Sequence, residues 1–162
     1  MNAEIITIGT ELLLGHIIDT NSAYIGEKLA EIGINVYRKT TIGDNEDRLE
    51  ICFRESLNRA DIVIATGGLG PTVDDVTKRV AVKIFKKRLV LDRKLLEKIK
   101  KIFKSRNIPM PDNNISQAMV PVGADIIENN TGTAPGLIFK KGCKILILLP
   151  GVPREMRFMF EG

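Results

Sequence analysis

A glycine-rich turn followed by two adjacent carboxylates is the part of this sequence best suited to chemistry. Three glycines fall within residues 67–70, directly after an apolar run of strand length, and Asp74 and Asp75 come just before a segment with helical spacing. Glycines let backbone amides approach a ligand without a Cβ in the way. A helix that begins behind such a turn adds unpaired N–H groups and the positive end of its dipole. The turn therefore predicts a site for an anion such as a phosphate.

The two acids have two interpretations. Adjacent carboxylates would repel a phosphate unless a divalent cation took oxygens from both sides, which makes Asp74 and Asp75 candidate metal ligands. Alternatively, the two acids only cap the helix and complement its dipole. Consecutive residues at a helix start point about 100° apart, so we expect Asp74 to cap the helix and Asp75 to meet the metal. Replacing Gly68 by Val should abolish ligand binding and leave the fold intact.

Two further loops carry charge after predicted strands. Thr10 and Glu11 follow the strand 3–8, and Arg154 and Glu155 follow the strand 144–149. Ligands in parallel α/β sheets bind outside the carboxyl ends of the strands. We therefore expect one pocket at the loops near residues 9, 66 and 150, although Glu11 could equally be a solvated residue beside leucines that pack the turn.

Two polar segments are candidates for the rest of the pocket. Residues 112–118 are rich in amides that can bond bases or sugars, although local turn capping explains them as readily. The small-residue loop 129–136 can close over a ligand.

Residues 19–22 offer several N-cap side chains for a helix.

Alternating strand and helix patterns predict one α/β domain over residues 1–162, a three-layer sandwich with a mostly parallel central sheet. At 162 residues and 44% hydrophobic composition, the chain can bury a core without disulfide staples. No apolar run is long enough to cross a bilayer, and the start does not resemble a signal peptide. Cys52 and Cys143 stand alone, which disfavours disulfides and zinc and favours the cytoplasm.

The net charge of +4 is unevenly distributed, because lysines and arginines crowd residues 78–106. Such a segment can be a nucleic-acid surface or a solvated helical face. No aromatic residues interleave with the basic ones to stack on bases, so we favour the solvated face. The expected partners are a small-molecule nucleotide and further copies of the chain, with no specific nucleic acid and no membrane.

The motifs resemble, in order and over nearly the whole chain, the N-terminal domain of the CinA family. They are residues 9–15, Thr20-Asn21, residues 67–72 with Asp74, Asp75 and Thr77, Asn114 with Gln117-Ala118, residues 132–136, and residues 150–153 with Glu155-Met156. That domain is similar to the molybdopterin-binding MoaB/MogA fold. Full-length members usually continue into a further region, and often a deamidase-like domain, so a stand-alone form or a fragment is expected here.

The resemblance implies a metal-dependent nucleotide pyrophosphatase that hydrolyses ADP-ribose or a related nucleoside diphosphate compound with a divalent metal cation. The alternatives are a molybdopterin-binding or adenylyl-transfer protein of the MoaB/MogA type and a non-catalytic nucleotide-binding domain. The hydroxyls of Thr72 and Thr77 are expected to contact the ligand. The candidate catalytic residues are Asp75, Glu155 and Glu11. The candidate phosphate and nucleotide contacts are Thr10, Asn21, Gly67, Gly68, Leu69, Gly70, Pro71, Thr72, Asn114, Gly132, Thr133 and Arg154.

Overall fold

A computed structural model describes residues 1–162 and shows an α/β fold built on a six-stranded sheet. The strands are β1 (Asn2–Ile8), β2 (Asn35–Ile42), β3 (Ile62–Thr66), β6 (Asp125–Ile127), β7 (Gly136–Lys141) and β8 (Lys144–Leu149), in the order β2-β1-β3-β8-β7-β6. Strands β2, β1, β3 and β8 run parallel, whereas β7 and β6 are antiparallel. The prediction of a mostly parallel sheet is confirmed.

Helices cover both faces of this sheet. They are α1 (Thr10–Leu13), α2 (Thr20–Glu31), α3 (Glu46–Arg59), α4 (Thr77–Ile84), α5 (Arg93–Ser105) and α6 (Pro153–Glu161). Buried residues of α2 and α6 form one core with the sheet, and buried residues of α3 and α4 form the other. Strand β3 lies between these cores, and all five of its residues are buried. This is why β3 reads as a continuous apolar run rather than as an alternating one.

A smaller unit flanks the main sheet. Strands β4 (Leu89–Leu91) and β5 (Met119–Pro121) pair antiparallel, and a 3-10 helix (Asp112–Ala118) leads into β5. The apolar stripe of α5 is less buried than its spacing predicts, since only Ile99 is fully covered. Helix α5 packs on the short 3-10 helix rather than on the sheet, so its neighbours cover it incompletely.

Asp74 does not cap α4. The helix begins at Thr77, its N-cap residue is Val76, and no side chain caps it. The chain first makes a turn through residues 73–74, which keeps both acids outside the helix. The cap predicted within residues 19–22 is present, since Asp19 accepts a bond from the Ser22 amide at 2.9 Å. Asn45 caps α3 in the same way, accepting from the Arg48 amide at 3.0 Å.

Candidate functional site

A pocket lies at the carboxyl ends of β1, β3 and β8, as predicted. Its volume is about 620 Å³, enough for a nucleotide-sized ligand. Six carboxylates line it, and no lysine, arginine or histidine does. The acids are Glu11, Asp19, Asp44, Asp74, Asp75 and Glu155. The pocket therefore carries a strongly negative charge in a chain whose net charge is +4.

The glycine turn after β3 adopts a left-handed backbone that favours glycine. Gly67 and Gly68 have φ values of 111° and 63°. A Cβ on Gly67 would lie 2.1 Å from the carbonyl oxygen of Ile8, and one on Gly68 would lie 2.2 Å from Oγ1 of Thr77. The turn is thus pressed against β1 on one side and α4 on the other, so Gly68→Val would disturb the fold as well as the pocket.

Thr77 fixes this turn from behind and does not reach the pocket. The residue is fully buried, and its hydroxyl donates a hydrogen bond to the Gly67 carbonyl at 2.9 Å. Its amide donates to the carbonyl of Gly68 at 3.2 Å. The expected ligand contact from this hydroxyl is therefore wrong, because burial behind the turn uses it as a structural clamp.

The two adjacent acids have different environments. The carboxylate of Asp75 accepts hydrogen bonds from the amides of Gly70 and Thr72, each at 2.8 Å, and from the Thr72 hydroxyl. Asp74 is exposed, lines the pocket, and accepts no hydrogen bond through its side chain. Asp75 therefore holds the glycine turn in shape, and Asp74 is the carboxylate left free for a ligand.

A second loop positions Glu155, the acid in the first turn of α6. Asn129 is buried, donates to the Glu155 carboxylate at 2.6 Å and to the Ala134 carbonyl at 2.9 Å, and accepts from the amides of Thr131 and Gly132. A Cβ on Gly132 would lie 2.2 Å from the same carboxylate. Gly132 thus leaves the space that Glu155 occupies. Asn129 organises the loop, and no pattern in the sequence singled it out among the loop's polar residues.

The same arrangement of an acid against a glycine recurs at all three loops. The carboxylate of Glu11 lies where a Cβ on Gly9 would stand, at 2.5 Å, and that of Asp75 does so at Gly70, also at 2.5 Å. A glycine without a side chain lets each carboxylate fold back onto the loop backbone. Three acids from three strand ends therefore face one pocket.

Thr10 does not line the pocket. Its amide and hydroxyl both donate to Asp44, at 2.8 Å and 2.9 Å. These bonds tie the loop after β1 to the end of β2. Thr10 thus positions the pocket wall, whereas Asp44 is itself part of that wall.

The floor of the pocket is a hydrogen-bonded network across three elements. The side-chain amide of Asn21 donates to the Thr66 hydroxyl at 3.0 Å and to the Gly151 carbonyl at 2.9 Å. The Thr66 hydroxyl donates in turn to the carbonyl of Pro150 at 2.7 Å. The Oδ1 atom of Asn21 is fully buried and has no hydrogen-bond partner.

The structure divides the predicted site residues into two groups. The residues that line the pocket are Glu11, Asn21, Gly67, Gly68, Leu69, Gly70, Pro71, Asp74, Asp75, Thr133 and Glu155. Those outside its lining are Thr10, Thr72, Asn114, Gly132 and Arg154. Asn114 lies behind Gln117, which lines the pocket instead, and Arg154 is exposed at the start of α6. The CinA-like motif of Asn114 with Gln117-Ala118 contains Gln117, but the expected nucleotide contact was Asn114.

The residues present suit a hard cation only in part. Carboxylates are the ligands that such ions prefer, and Asp74 is unpaired. Nevertheless, no three side chains of the Asp, Glu, His or Cys type come together in a metal-binding group. A cation here would take the rest of its coordination from water or from a ligand's phosphate oxygens.

The fold and pocket place the chain in the class of molybdopterin-binding-like domains. The family model described as "Probable molybdopterin binding domain" matches residues 4–162. The crystal structure of MoaB from Thermus thermophilus is 21% identical and superposes with a TM-score of 0.64, covering 99% of this chain and 87% of that one. At that identity the likeness shows a shared fold.

Within this class, the chain belongs to the CinA family. The crystal structure of CinA from Thermoplasma acidophilum is 39% identical, with a TM-score of 0.89 over 99% of this chain and 94% of that one. A CinA-like protein from Kosmotoga olearia is 53% identical over 99% of this chain. The chain spans 39% of the length of that relative. None of its helices is both long and apolar enough to cross a membrane.

Proposed function

We propose that this domain binds ADP-ribose or a related nucleoside diphosphate compound and hydrolyses its pyrophosphate bond with a divalent metal cation. The observation that carries the proposal is a pocket lined by a glycine turn, six acids and no basic residue, in which the Gly68 and Leu69 amides have no protein acceptor. Amides at such a turn bind phosphate oxygens. The carboxylates of the pocket would repel the same phosphates. Binding therefore requires a cation that neutralises the carboxylates and the phosphates together.

The free carboxylate favours Asp74 as the acid that would hold that cation. Asp74 has no protein partner, whereas Asp75 already accepts three hydrogen bonds from the turn. We therefore assign the main metal contact to Asp74. Asp75 could add a weaker contact through an oxygen lone pair that its three hydrogen bonds do not use. When bound, the cation would neutralise phosphoryl charge and lower the pKa of a coordinated water.

The remaining chemistry belongs to the chain's own acids and amides. In pyrophosphate hydrolysis, a water oxygen bonds to one phosphorus, the bridging P–O bond breaks, and two phosphate monoesters leave. Glu155, held by Asn129 at 2.6 Å, is placed to take the proton of the attacking water. Glu11 faces the pocket from the loop after β1 and is the second candidate base. The amides of Gly68 and Leu69, which have no protein acceptor, would stabilise the charge on the phosphoryl oxygens.

A panel of nucleoside diphosphate sugars, assayed with several divalent metals and resolved by chromatography, tests the proposal. We expect ADP-ribose to be cleaved only when a divalent cation is present. Asp74→Asn should abolish this turnover, whereas Asp47→Asn, at an exposed acid on α3, should not change it. Turnover that survives chelation, or that is unchanged in Asp74→Asn, would contradict the metal assignment.

The family model favours one alternative. A "Probable molybdopterin binding domain" match over residues 4–162 fits a domain that holds a pterin phosphate and transfers a nucleotide to it. Supplying a molybdopterin with a nucleoside triphosphate separates the alternatives, because transfer yields an adenylylated pterin and hydrolysis yields two monoesters. Tight binding without either product would identify a non-catalytic nucleotide-binding domain.

A further inference from the structure

Gln117 lies in the pocket wall with one end of its amide group already engaged. The residue is 3% exposed, and its Oε1 accepts a hydrogen bond from Nδ2 of Asn114 at 2.8 Å. Its Nε2 has no protein partner and is not one of the two fully buried side-chain atoms without partners, Asn21 Oδ1 and Ser56 Oγ. The amide nitrogen therefore reaches open space, and the pocket is the space that Gln117 lines.

Lys78 holds the segment that carries Gln117. Its Nζ donates to the carbonyl of Met119 at 3.0 Å and to the carbonyl of Ser116, so it binds the backbone on both sides of Gln117. Lys78 forms no ion pair, and burial lowers the pKa of its ammonium group to about 8. Burying an ammonium group without a carboxylate partner costs free energy. The hydrogen bonds from Lys78 to the carbonyls of Ser116 and Met119 offset part of that cost.

The position of Lys78 also locates Gln117 within the pocket. Lys78 is the second residue of α4, one turn beyond Asp75, so the 3-10 helix is fastened to the end of α4 that follows the glycine turn. Gln117 therefore lines the part of the pocket that adjoins the start of α4 and the glycine turn before it. A neutral N–H donor on that side adds to the turn's donors without adding charge.

We infer that Gln117 is a ligand-binding residue, whose amide N–H donates to an oxygen of the bound nucleotide, and that Lys78 is the residue that positions it. The inference rests on the proposed nucleotide function and adds a contact to it. The acceptor is a phosphoryl oxygen or a hydroxyl or carbonyl oxygen of the attached sugar or base. In each case the chemistry is a single N–H···O bond from a preorganised amide.

Calorimetric titration with two non-hydrolysable probes in Mg²⁺ tests the ligand contact. The probes are the α,β-methylene analogue of ADP-ribose and methylenediphosphonate. Gln117→Leu keeps the side-chain size and removes the donor, so its Kd for the nucleotide probe should rise about tenfold, as one well-formed hydrogen bond predicts. Asn113→Leu, at an exposed amide of the same 3-10 helix, should leave the Kd unchanged.

The outcomes separate the possible acceptors and failures. An equal loss for both probes assigns the contact to a phosphoryl oxygen, and a loss for the nucleotide probe alone assigns it to the sugar or base. A Kd within twofold of wild type in folded Gln117→Leu overturns the inference and leaves the proposed function standing. Failure of the wild-type chain to bind either probe overturns both.

A double-mutant cycle tests the positioning role. Lys78→Met should weaken binding by a similar factor, and the double variant with Gln117→Leu should bind no more weakly than Gln117→Leu alone. Additive losses, or an unchanged Kd in Lys78→Met, would show that Lys78 does not act through Gln117. If Lys78→Met does not fold, Asn114→Leu replaces it in the cycle, because it frees Oε1 of Gln117 without touching α4.

Discussion

Asp75→Asn is expected to destabilise the domain, because the Asp75 carboxylate joins both ends of the glycine turn. Its Oδ1 accepts from the Gly70 amide, while its Oδ2 accepts from both the amide and the hydroxyl of Thr72. In asparagine, one of the two oxygens becomes an NH₂ group. With the oxygen kept toward Gly70, this group faces the Thr72 N–H, and a donor meets a donor.

The size of the effect follows from these contacts. The bond from the Thr72 amide is lost, the Thr72 hydroxyl has to turn and accept from the new NH₂ group, and the bond that remains from Gly70 no longer has a charged acceptor. Hydrogen bonds to charged groups are worth about 1.5–3 kcal/mol each. Thr72 is exposed, so water compensates in part, and we expect a loss of about 2 kcal/mol. For a domain of 162 residues, this lowers Tm by roughly 4–8 °C.

Asp74→Asn is the matched control, since Asp74 is adjacent, exposed and not hydrogen-bonded through its side chain. Its stability should stay within about 0.5 kcal/mol of wild type. Melting temperatures from differential scanning calorimetry, together with hydrolysis rates across a metal titration, compare the two variants. A Tm for Asp75→Asn within about 1 °C of wild type, or a larger drop for Asp74→Asn, would refute the assignment of Asp75 to the turn.

Three further substitutions give distinct results. Gly132→Ala should fold but lose turnover, because its Cβ would displace the flexible carboxylate of Glu155. Glu155→Gln should lose turnover to a similar extent. Full activity in Gly132→Ala would contradict the role of the Glu155 carboxylate at this position. Gly67→Ala should cost at least about 3 kcal/mol in urea unfolding, because its Cβ would collide with backbone at the end of β1. Hydrogen bonding from Arg59 lowers the pKa of the Glu4 carboxyl. The stability from this pair is present above the unfolded pKa, near 4.5, and is lost as pH falls through the lowered folded-state value. Glu4→Gln should therefore be less stable at pH 7 by about 1–2 kcal/mol and less sensitive to acid; equal acid sensitivity would argue against the pair.

The sequence by itself determined the fold class and the place of the pocket. Buried parallel strands such as β3 are continuous apolar runs, and loops rich in glycine and acids follow the strands whose ends meet at one edge. These are local signals, since each depends on a few consecutive residues and on the known geometry of parallel sheets. The CinA motifs along the chain are local in the same sense.

Only the tertiary structure decided what each site residue does. Whether an acid is free or engaged depends on partners brought close by folding: Asp44 engages Thr10 from 34 residues away, and Asn129 engages Glu155 from 26 residues away. The start of α4 at Thr77 was likewise set by the glycine turn, whose carbonyls bind the Thr77 amide and hydroxyl. Gln117 belongs to a sequence motif with Asn114, but only folding brings Lys78 from 38 residues away to hold the backbone beside it. Such contacts join distant segments, so no local pattern in the sequence specifies them.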